Sequence, residues 1–414
     1  MNGMPLGLYL SVPFCRTKCT YCNFASDVFS RTVFDRYVER VCADIHTTLE
    51  AARQRGAGLE MDVDSIYLGG GTPTLLDSHQ FERLFVTLRQ TFRFLPETEI
   101  TVECAPGTLT PAMLDSLLAN GVNRVSLGVQ SFVDREAGSV GRLHTRATVL
   151  NDVARLRQAG ISNVNVDLIA GLPHQTAETW NDSLESVIAL GVPHVSVYML
   201  EVDEDSRLGR ELIAGGTKYH AHFVPDEELT AEMYGSACER LNAAGIEQYE
   251  ISNFAREGFA SRHNLKYWTR QPYLGFGMDA HSMLRLAGDG RSEALRFSTS
   301  DSLDQFVAGA GLNWIDVTRE AALEETFFLG LRLNRGVNLQ EVRAQFGGAT
   351  VEGLRPMLED LAASGMIDWE RDRVRLTARG RLLSNEVFER FLDCGGTATS
   401  AGEDAIAASP ASKQ

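Results

Sequence analysis

Gly7-Leu8-Tyr9-Leu10-Ser11-Val12-Pro13-Phe14-Cys15-Arg16-Thr17-Lys18-Cys19-Thr20-Tyr21-Cys22 decides how the rest of the chain is read. Gly7–Val12 is short and apolar, the pattern of a parallel strand covered on both faces. Three cysteines follow at spacings of four and three residues, so their thiolates can wrap one small inorganic centre from a single loop. Thiolates are soft ligands, suited to zinc or to iron–sulfur clusters. Zinc would want a fourth protein ligand, and no nearby His or Cys supplies one. A 4Fe–4S cluster held by three cysteines instead leaves one iron open to a small molecule. Free cysteines seldom group in this way without a metal or redox role. The remaining cysteines, Cys42, Cys104, Cys238 and Cys394, are scattered and read as packing residues or an exposed thiol.

Outward from this stretch, short β-branched runs alternate with helical patterns. Further strands are expected at Asp64–Gly69, Glu99–Glu103, Asn123–Val129, Asn163–Ile169 and His194–Leu200. Helices are expected between them, at Gln80–Phe92, Pro111–Asn120, Thr148–Ala159 and Ala177–Leu190. In the first connection Phe34, Tyr37, Val38, Val41 and Ile45 recur at helical spacing and form one buried face. Repeated β-α units imply a parallel sheet curling into a barrel. Six strands predict an incomplete (β/α)6 barrel of the α/β class rather than eight complete units.

A helix at Pro225–Ala244 and an extended Gln248–Phe254 complete an expected core domain, 1–255. Gly258–Arg291 is rich in Gly, aromatics and His and reads as a folded loop region, giving a connecting segment at 256–300. From about Asp301 the pattern is a small helical module, 301–393. Helices at Glu320–Arg332, Leu339–Phe346 and Val351–Ser364 precede short strands at Met366–Trp369 and Arg373–Leu376, and one last helix at Ala378–Phe391. This order resembles a winged helix. Asp316–Asp393 holds 11 Arg, no Lys and 14 Asp plus Glu, a net of 11 − 14 = −3, which argues against DNA binding. The segment 394–414 is mostly Ala, Gly, Ser and Thr and is expected to be disordered.

The whole chain has 414 residues, with 39 Lys plus Arg against 55 Asp plus Glu and a net charge of −16. Such acidity makes a poor general binder of nucleic acid or anionic membrane. No apolar run approaches the roughly 18 residues of a membrane span. Met1–Val12 lacks the basic region of a secretory signal, and seven cysteines are too few for a disulfide scaffold. A cytoplasmic location is therefore expected.

The Cys15–Cys22 loop after the first strand of a β/α barrel resembles the signature of the radical S-adenosylmethionine (SAM) superfamily. The resemblance implies a 4Fe–4S cluster on Cys15, Cys19 and Cys22, its fourth iron chelated by the amino and carboxylate groups of SAM. An electron from the cluster can then split the sulfonium and release a deoxyadenosyl radical. Tyr9 is implied beside the methionine part of SAM, although a strand aromatic in the core reads nearly as well. Gly69-Gly70-Gly71-Thr72-Pro73 follows the second strand. Its glycines let backbone approach a ligand, so Gly70, Gly71 and Thr72 are expected to meet the SAM amino and carboxylate groups. Glu103, Gln130, Arg142 and Asp167 come from strand ends or the loops after them, the ligand edge of such a barrel. Hydrogen bonds from this set to the ribose and methionine parts are implied. Each alone could be a rim salt bridge; the four in this order favour the ligand reading.

Tyr9–Cys15, Gly69–Pro73, Gly128–Phe132 and the C-terminal module narrow the likeness to the oxygen-independent coproporphyrinogen III oxidase family. One branch decarboxylates propionates of a haem precursor, and the other is the HemW-type haem chaperone. The oxidase carries a cysteine two residues after the third ligand, where Phe24 stands, and an arm before the first strand. The chaperone branch carries His-Asn-x-x-Tyr-Trp, matched by His263-Asn264-Leu265-Lys266-Tyr267-Trp268. Gly275–His281 matches a following Gly-x-Gly turn, with Asp279 an unusual choice there. The resemblance implies a chaperone that binds haem and passes it to an acceptor haem protein, respiratory ones included, with an electron donor for the cluster. It implies His263 as the haem ligand, walled by Tyr267, Trp268 and Tyr273, with His281 next in line. The rivals are the oxidase itself and a related radical methyltransferase.

Overall fold

The computed structural model describes residues 3–286 and 292–392. The six expected strands form as β1 (Leu6–Val12), β2 (Asp62–Gly70), β3 (Arg93–Cys104), β4 (Arg124–Gln130), β5 (Asn163–Ala170) and β6 (His194–Met199). They run parallel and pair in chain order. Helices at Phe34–Gln54, Ser78–Thr91, Pro111–Ala119, Arg146–Gln158 and Ala177–Leu190 carry the returns. The first of these buries Phe34, Tyr37, Val38, Val41 and Ile45, the face its periodicity announced. Starts are fixed by side chains: Asp77 accepts from the Gln80 N–H in a capping box, and Thr110, Thr145 and Thr176 cap the next three. Every residue of β1 is buried. Truncating Leu8 or Leu10 to Ala would cost about 2–5 kcal/mol, because a close-packed site collapses only partly around the lost atoms.

The sheet extends beyond the six strands on both sides. Beside β6 lie β7 (Glu247–Gln248) and β8 (Asn253–Ala255), with β8 antiparallel to β6. Beside β1 lies β9 (Tyr273–Phe276), parallel to it, followed by the antiparallel β10 (His281–Arg285), β11 (Ser292–Ser298) and β12 (Asn313–Thr318). The stretch read from sequence as a folded loop region is therefore a helix, Arg262–Trp268, and two strands of the main sheet. A four-residue strand flanked by glycine and aromatic residues shows no period of its own. Its identity comes from pairing with β1, more than 260 residues away along the chain.

The C-terminal module has helices at Arg319–Gly330, Leu339–Phe346 and Gly348–Ala363 and a small sheet of β13 (Val337–Asn338), β14 (Ile367–Glu370) and β15 (Arg373–Leu376). The single last helix expected from sequence is two, Ala378–Leu382 and Ser384–Leu392, because Leu383 leaves helical backbone at φ −108° and ψ 34°. This module packs against the barrel through a second apolar cluster in which Tyr267, Trp268 and Tyr273 meet Phe327, Leu339, Val374 and Phe391. No helix among the described residues is long and apolar enough to cross a membrane. The segment 394–414, expected to be disordered, lies outside the described residues.

Candidate functional site

The cysteine loop leaves the C-terminal end of β1 and is tied back on itself. Cys15 N–H donates to Asp27 O (3.0 Å) and Asp27 N–H to Pro13 O (3.0 Å). Inside the loop the Lys18 ammonium donates to Phe24 O (3.1 Å) and Ser26 O (2.8 Å). Nothing in the sequence distinguished this lysine from a solvated one. Across the barrel edge, Thr20 N–H donates to Val140 O (3.1 Å), Thr17 Oγ1 to Gly141 O (2.9 Å) and Arg142 Nη1 to Cys19 Sγ (3.5 Å). Arg142 also donates to Gly128 O. One guanidinium thus joins the cysteine loop to the end of β4.

The three thiols are free, with Cys19 buried and Cys15 and Cys22 half-buried. Burial, followed by the Cys19 charge, pushes the Cys22 thiol up to about 11, and burial also raises Cys15. A cationic centre among them would supply the charge that releases their protons. They do not close on a single ion: among the described residues no three His, Cys, Asp or Glu side chains are placed to hold one. Three soft thiolates without a fourth protein ligand suit a 4Fe–4S cluster that keeps one corner open better than they suit zinc.

The polar residues expected around SAM converge on this edge. Glu103 accepts from Tyr67 Oη (2.9 Å) and from the Gly70 N–H (3.1 Å). Asp167 accepts from Ser126 Oγ (3.2 Å) and Asn165 Nδ2 (2.6 Å), while burial raises its pKa. Gln130 ends β4 at an irregularity in the β4–β5 pairing, with φ at +69° and its Oε1 buried without a partner. A non-glycine residue held there, with an orphaned acceptor, fits an incoming hydrogen-bond donor. Tyr9 is buried, and its ring stacks 6.2 Å from that of Tyr67.

The glycine turn has a packing role that its sequence did not show. The N–H groups of Gly70, Gly71 and Thr72 are already spent on Glu103, Val12 O (2.9 Å) and Phe14 O (2.8 Å). What the turn can still offer is carbonyl oxygen, which suits an ammonium rather than a carboxylate. A Cβ on Gly71 would stand 2.8 Å from both Val12 O and Phe14 O. The close approach that requires glycine here is to the backbone that leads into the cysteine loop.

His263 lies elsewhere. Its helix is pinned to the N-terminal halves of β1–β3: Lys266 Nζ meets Pro5 O (2.9 Å) and Asp64 Oδ1 (2.8 Å), and the N–H groups of Arg262 and His263 reach Glu99. The imidazole is 1% exposed, with Nδ1 3.1 Å from Ser65 Oγ and Nε2 2.8 Å from Tyr267 Oη. Burial, then the Lys266 and Arg124 charges, push it down to about 3. Trp268 faces the C-terminal module, with the Arg332 guanidinium 4.4 Å from its ring centre. Both ring nitrogens of His263 are engaged and neither flanking aromatic offers an open wall. His281, by contrast, starts β10 at the cysteine edge, near Asp279.

The Radical SAM superfamily profile matches residues 9–187, and the HemN C-terminal domain matches residues 317–383. The heme chaperone HemW of Bacillus subtilis (strain 168) is 34% identical over 389 residues, which span 93% of this chain and 98% of that protein. The heme chaperone HemW of Lactococcus lactis subsp. lactis (strain IL1403) is 31% identical over 396 residues, 95% of this chain and 98% of its own. Among solved structures, the coproporphyrinogen III oxidase HemN of Escherichia coli, a radical SAM enzyme, superposes with a TM-score of 0.77. It shares 26% identity and covers 95% of this chain and 91% of its own.

Proposed function

The chain belongs to the radical SAM superfamily and, within it, to the HemW family, and from that premise we propose that it binds haem and passes it to a haem-requiring acceptor protein. The observation that carries the reading is the near full-length likeness to HemW proteins, with three unpaired thiols gathered at the ligand edge of the barrel. In this reading Cys15, Cys19 and Cys22 hold a 4Fe–4S cluster, and SAM lies against Tyr9, Gly70, Gly71, Thr72, Glu103, Gln130, Arg142 and Asp167. When bound, that cluster supplies a low-potential electron for SAM, delivered to it by a separate donor. The protein's own part is positional. Arg142 holds the Cys19 sulfur against β4, Lys18 keeps the loop closed, and the turn carbonyls take the ammonium of SAM. Asp167 and Gln130 provide acceptors for ligand hydroxyls or amines. The cytoplasm is the proposed compartment.

One observation favours the oxidase reading, the superposition on HemN over most of both chains. Against it stands Phe24, at the position where the oxidase branch places a further cysteine. Anaerobic purification with cluster reconstitution, a haem titration and a parallel assay with coproporphyrinogen separate the two. Stoichiometric haem binding without porphyrin production is expected. Sustained, SAM-dependent formation of protoporphyrinogen would replace the chaperone reading with the oxidase.

A further inference from the structure

On β5, Val164, Val166 and Leu168 share the main apolar cluster with Trp180, Leu184 and Val187 of the covering helix. Asn165 and Asp167 alternate with those valines and therefore face the other way, into the barrel. Strand pairing sets Asn165 beside Ser126 of β4 and His194 of β6, and Asp167 beside Ser196. Asn165, Ser126, Ser196 and His194 are at most 2% exposed, so they must find partners in the protein.

Those partners form a chain. Tyr249 Oη accepts from the Ser261 N–H (3.2 Å) and lies 2.9 Å from His194 Nε2. His194 Nδ1 lies 2.6 Å from Asn165 Oδ1. Asn165 Nδ2 donates to Asp167 Oδ1 (2.6 Å) and to Ser126 Oγ (2.7 Å), and that hydroxyl donates to Asp167 Oδ2 (3.2 Å). Ser261 is the N-cap of the Arg262–Trp268 helix, so the chain runs from the start of that helix to the end of β5.

Its direction is fixed from both ends. A backbone N–H only donates, so Tyr249 Oη accepts there and its own proton goes to His194 Nε2. A carboxylate only accepts, so the Asn165 amide presents Nδ2 to Asp167 and turns Oδ1 to His194. Both conditions ask for one neutral imidazole, protonated at Nδ1. Burial, then the Arg124 charge, keeps His194 neutral, well below its ordinary pKa. A reversed amide would set its oxygen against the carboxylate. At Asp167 burial raises the pKa, while donors on both oxygens favour the charged form.

We propose that His194 is a positioning residue for SAM: through Asn165 it aims the Asp167 carboxylate at a donor group of that ligand and keeps it ionised. The assignment rests on the reading above that places SAM against Asp167. His194 itself touches no ligand, and its part is to hold one orientation of the Asn165 amide.

Cutting a buried polar network lowers stability whatever its role, so the test reads SAM affinity against Tm. The full-length, cluster-reconstituted protein is titrated anaerobically with SAM. His194→Leu, which removes the donor to Asn165, should weaken SAM binding by about tenfold with iron–sulfur content unchanged. His194→Asn, whose Nδ2 stands in for Nδ1, should bind SAM within about threefold of the parent even though its Tm is lowered. Selective 15N-histidine spectra of the parent should show a neutral imidazole protonated at Nδ1, identified as His194 by its shift in Tyr249→Phe. An Nε2-protonated His194 overturns the assignment, whatever the variants do. So does parental SAM affinity in folded His194→Leu, or an equal loss in His194→Asn and His194→Leu, which marks a purely structural role. Asp167→Ala separates the two levels. If it binds SAM as the parent does, the placing of SAM against Asp167 fails and this assignment with it. If it loses SAM while His194→Leu does not, the assignment alone fails.

Discussion

The cysteine end of the barrel and the end plugged by the Arg262–Trp268 helix use the same kinds of side chain for opposite purposes. At the cysteine end, Gln130 and Asp279 are held at positive φ, Gln130 Oε1 and His281 Nε2 are buried without partners, and three thiols stand free. At the other end, His263 is matched at both nitrogens and Lys266 by Asp64 and Pro5 O, while Trp268, under Arg332, keeps its buried Nε1 without a hydrogen bond. Unspent hydrogen-bonding capacity and strained backbone cost stability and persist where the surrounding fold enforces them, which is how ligand sites are built. Satisfied polar groups in a packed interior do the reverse and fix one conformation. His263, flanked by Tyr267 and Trp268, is buried with both ring nitrogens bonded, whereas Gln130 and His281 at the cysteine edge each keep a buried polar atom without a hydrogen bond.

The comparison breaks first at the cysteines. Cys15→Ala, Cys19→Ala or Cys22→Ala should each abolish or nearly abolish iron and cluster absorbance after anaerobic reconstitution, with little change in the melting temperature of the unloaded chain. Cys42→Ser, Cys104→Ser and Cys238→Ser should keep the cluster. A variant lacking all three loop cysteines that still holds four irons would end the assignment.

Trp268→Ala is the matching test at the closed end. Removing a buried indole from the second core should cost about 3–5 kcal/mol and lower Tm, since the lost contacts with Arg332 and the C-terminal module are not recovered by collapse. Cluster content per folded molecule should be unchanged. A loss of cluster with an unchanged Tm would mean that the two ends are not separate in function.

The smallest effect sharpens the contrast through pH. His263 is held neutral down to about 3 by burial and His144 down to about 4, and burial also keeps His194 well below its ordinary value. These depressed values mean that the unfolded chain takes up protons first as pH falls. Their contribution is whole above the ordinary value of 6.5 and is lost as pH drops toward 3–4. His263 and His144 should each cost about 2 kcal/mol of stability by pH 5. Thermal melts between pH 7 and 5 should therefore fall in Tm, and His263→Gln should flatten that slope. An unchanged slope would show that His263 is not buried neutral.

Much of the barrel was legible because its signals are local. The strands from Gly7–Val12 to His194–Leu200 and their helices carry their own periods and caps, and all six strands formed in chain order. The Tyr273–Phe276 and His281–Arg285 strands were missed because four or five residues among glycines and aromatics carry no period. At the site, the cysteine spacing and the strand-end residues pointed to one edge, and the structure gathers them there. Lys18 gave no signal, since its ammonium is used on carbonyls six and eight residues further on. The glycines of residues 69–71 were read as letting backbone approach a ligand, and the structure shows Gly71 close to Val12 and Phe14.

By itself the sequence determined what depends on neighbours along the chain: parallel β-α units, a three-thiol loop at the first strand's end, and polar residues toward or after the ends of the third, fourth and fifth strands. Only the tertiary structure decided which histidine has both ring nitrogens bonded and which does not. Ser65, which meets His263, lies 198 residues away from it in sequence. The end of β1 that positions the turn before His281 is equally remote. Whether an imidazole keeps a free nitrogen is set by what the folded chain packs against it. Sequence spacing cannot carry that information, because hydrogen-bond partners and burial arise from pairings that exist only once the barrel has closed.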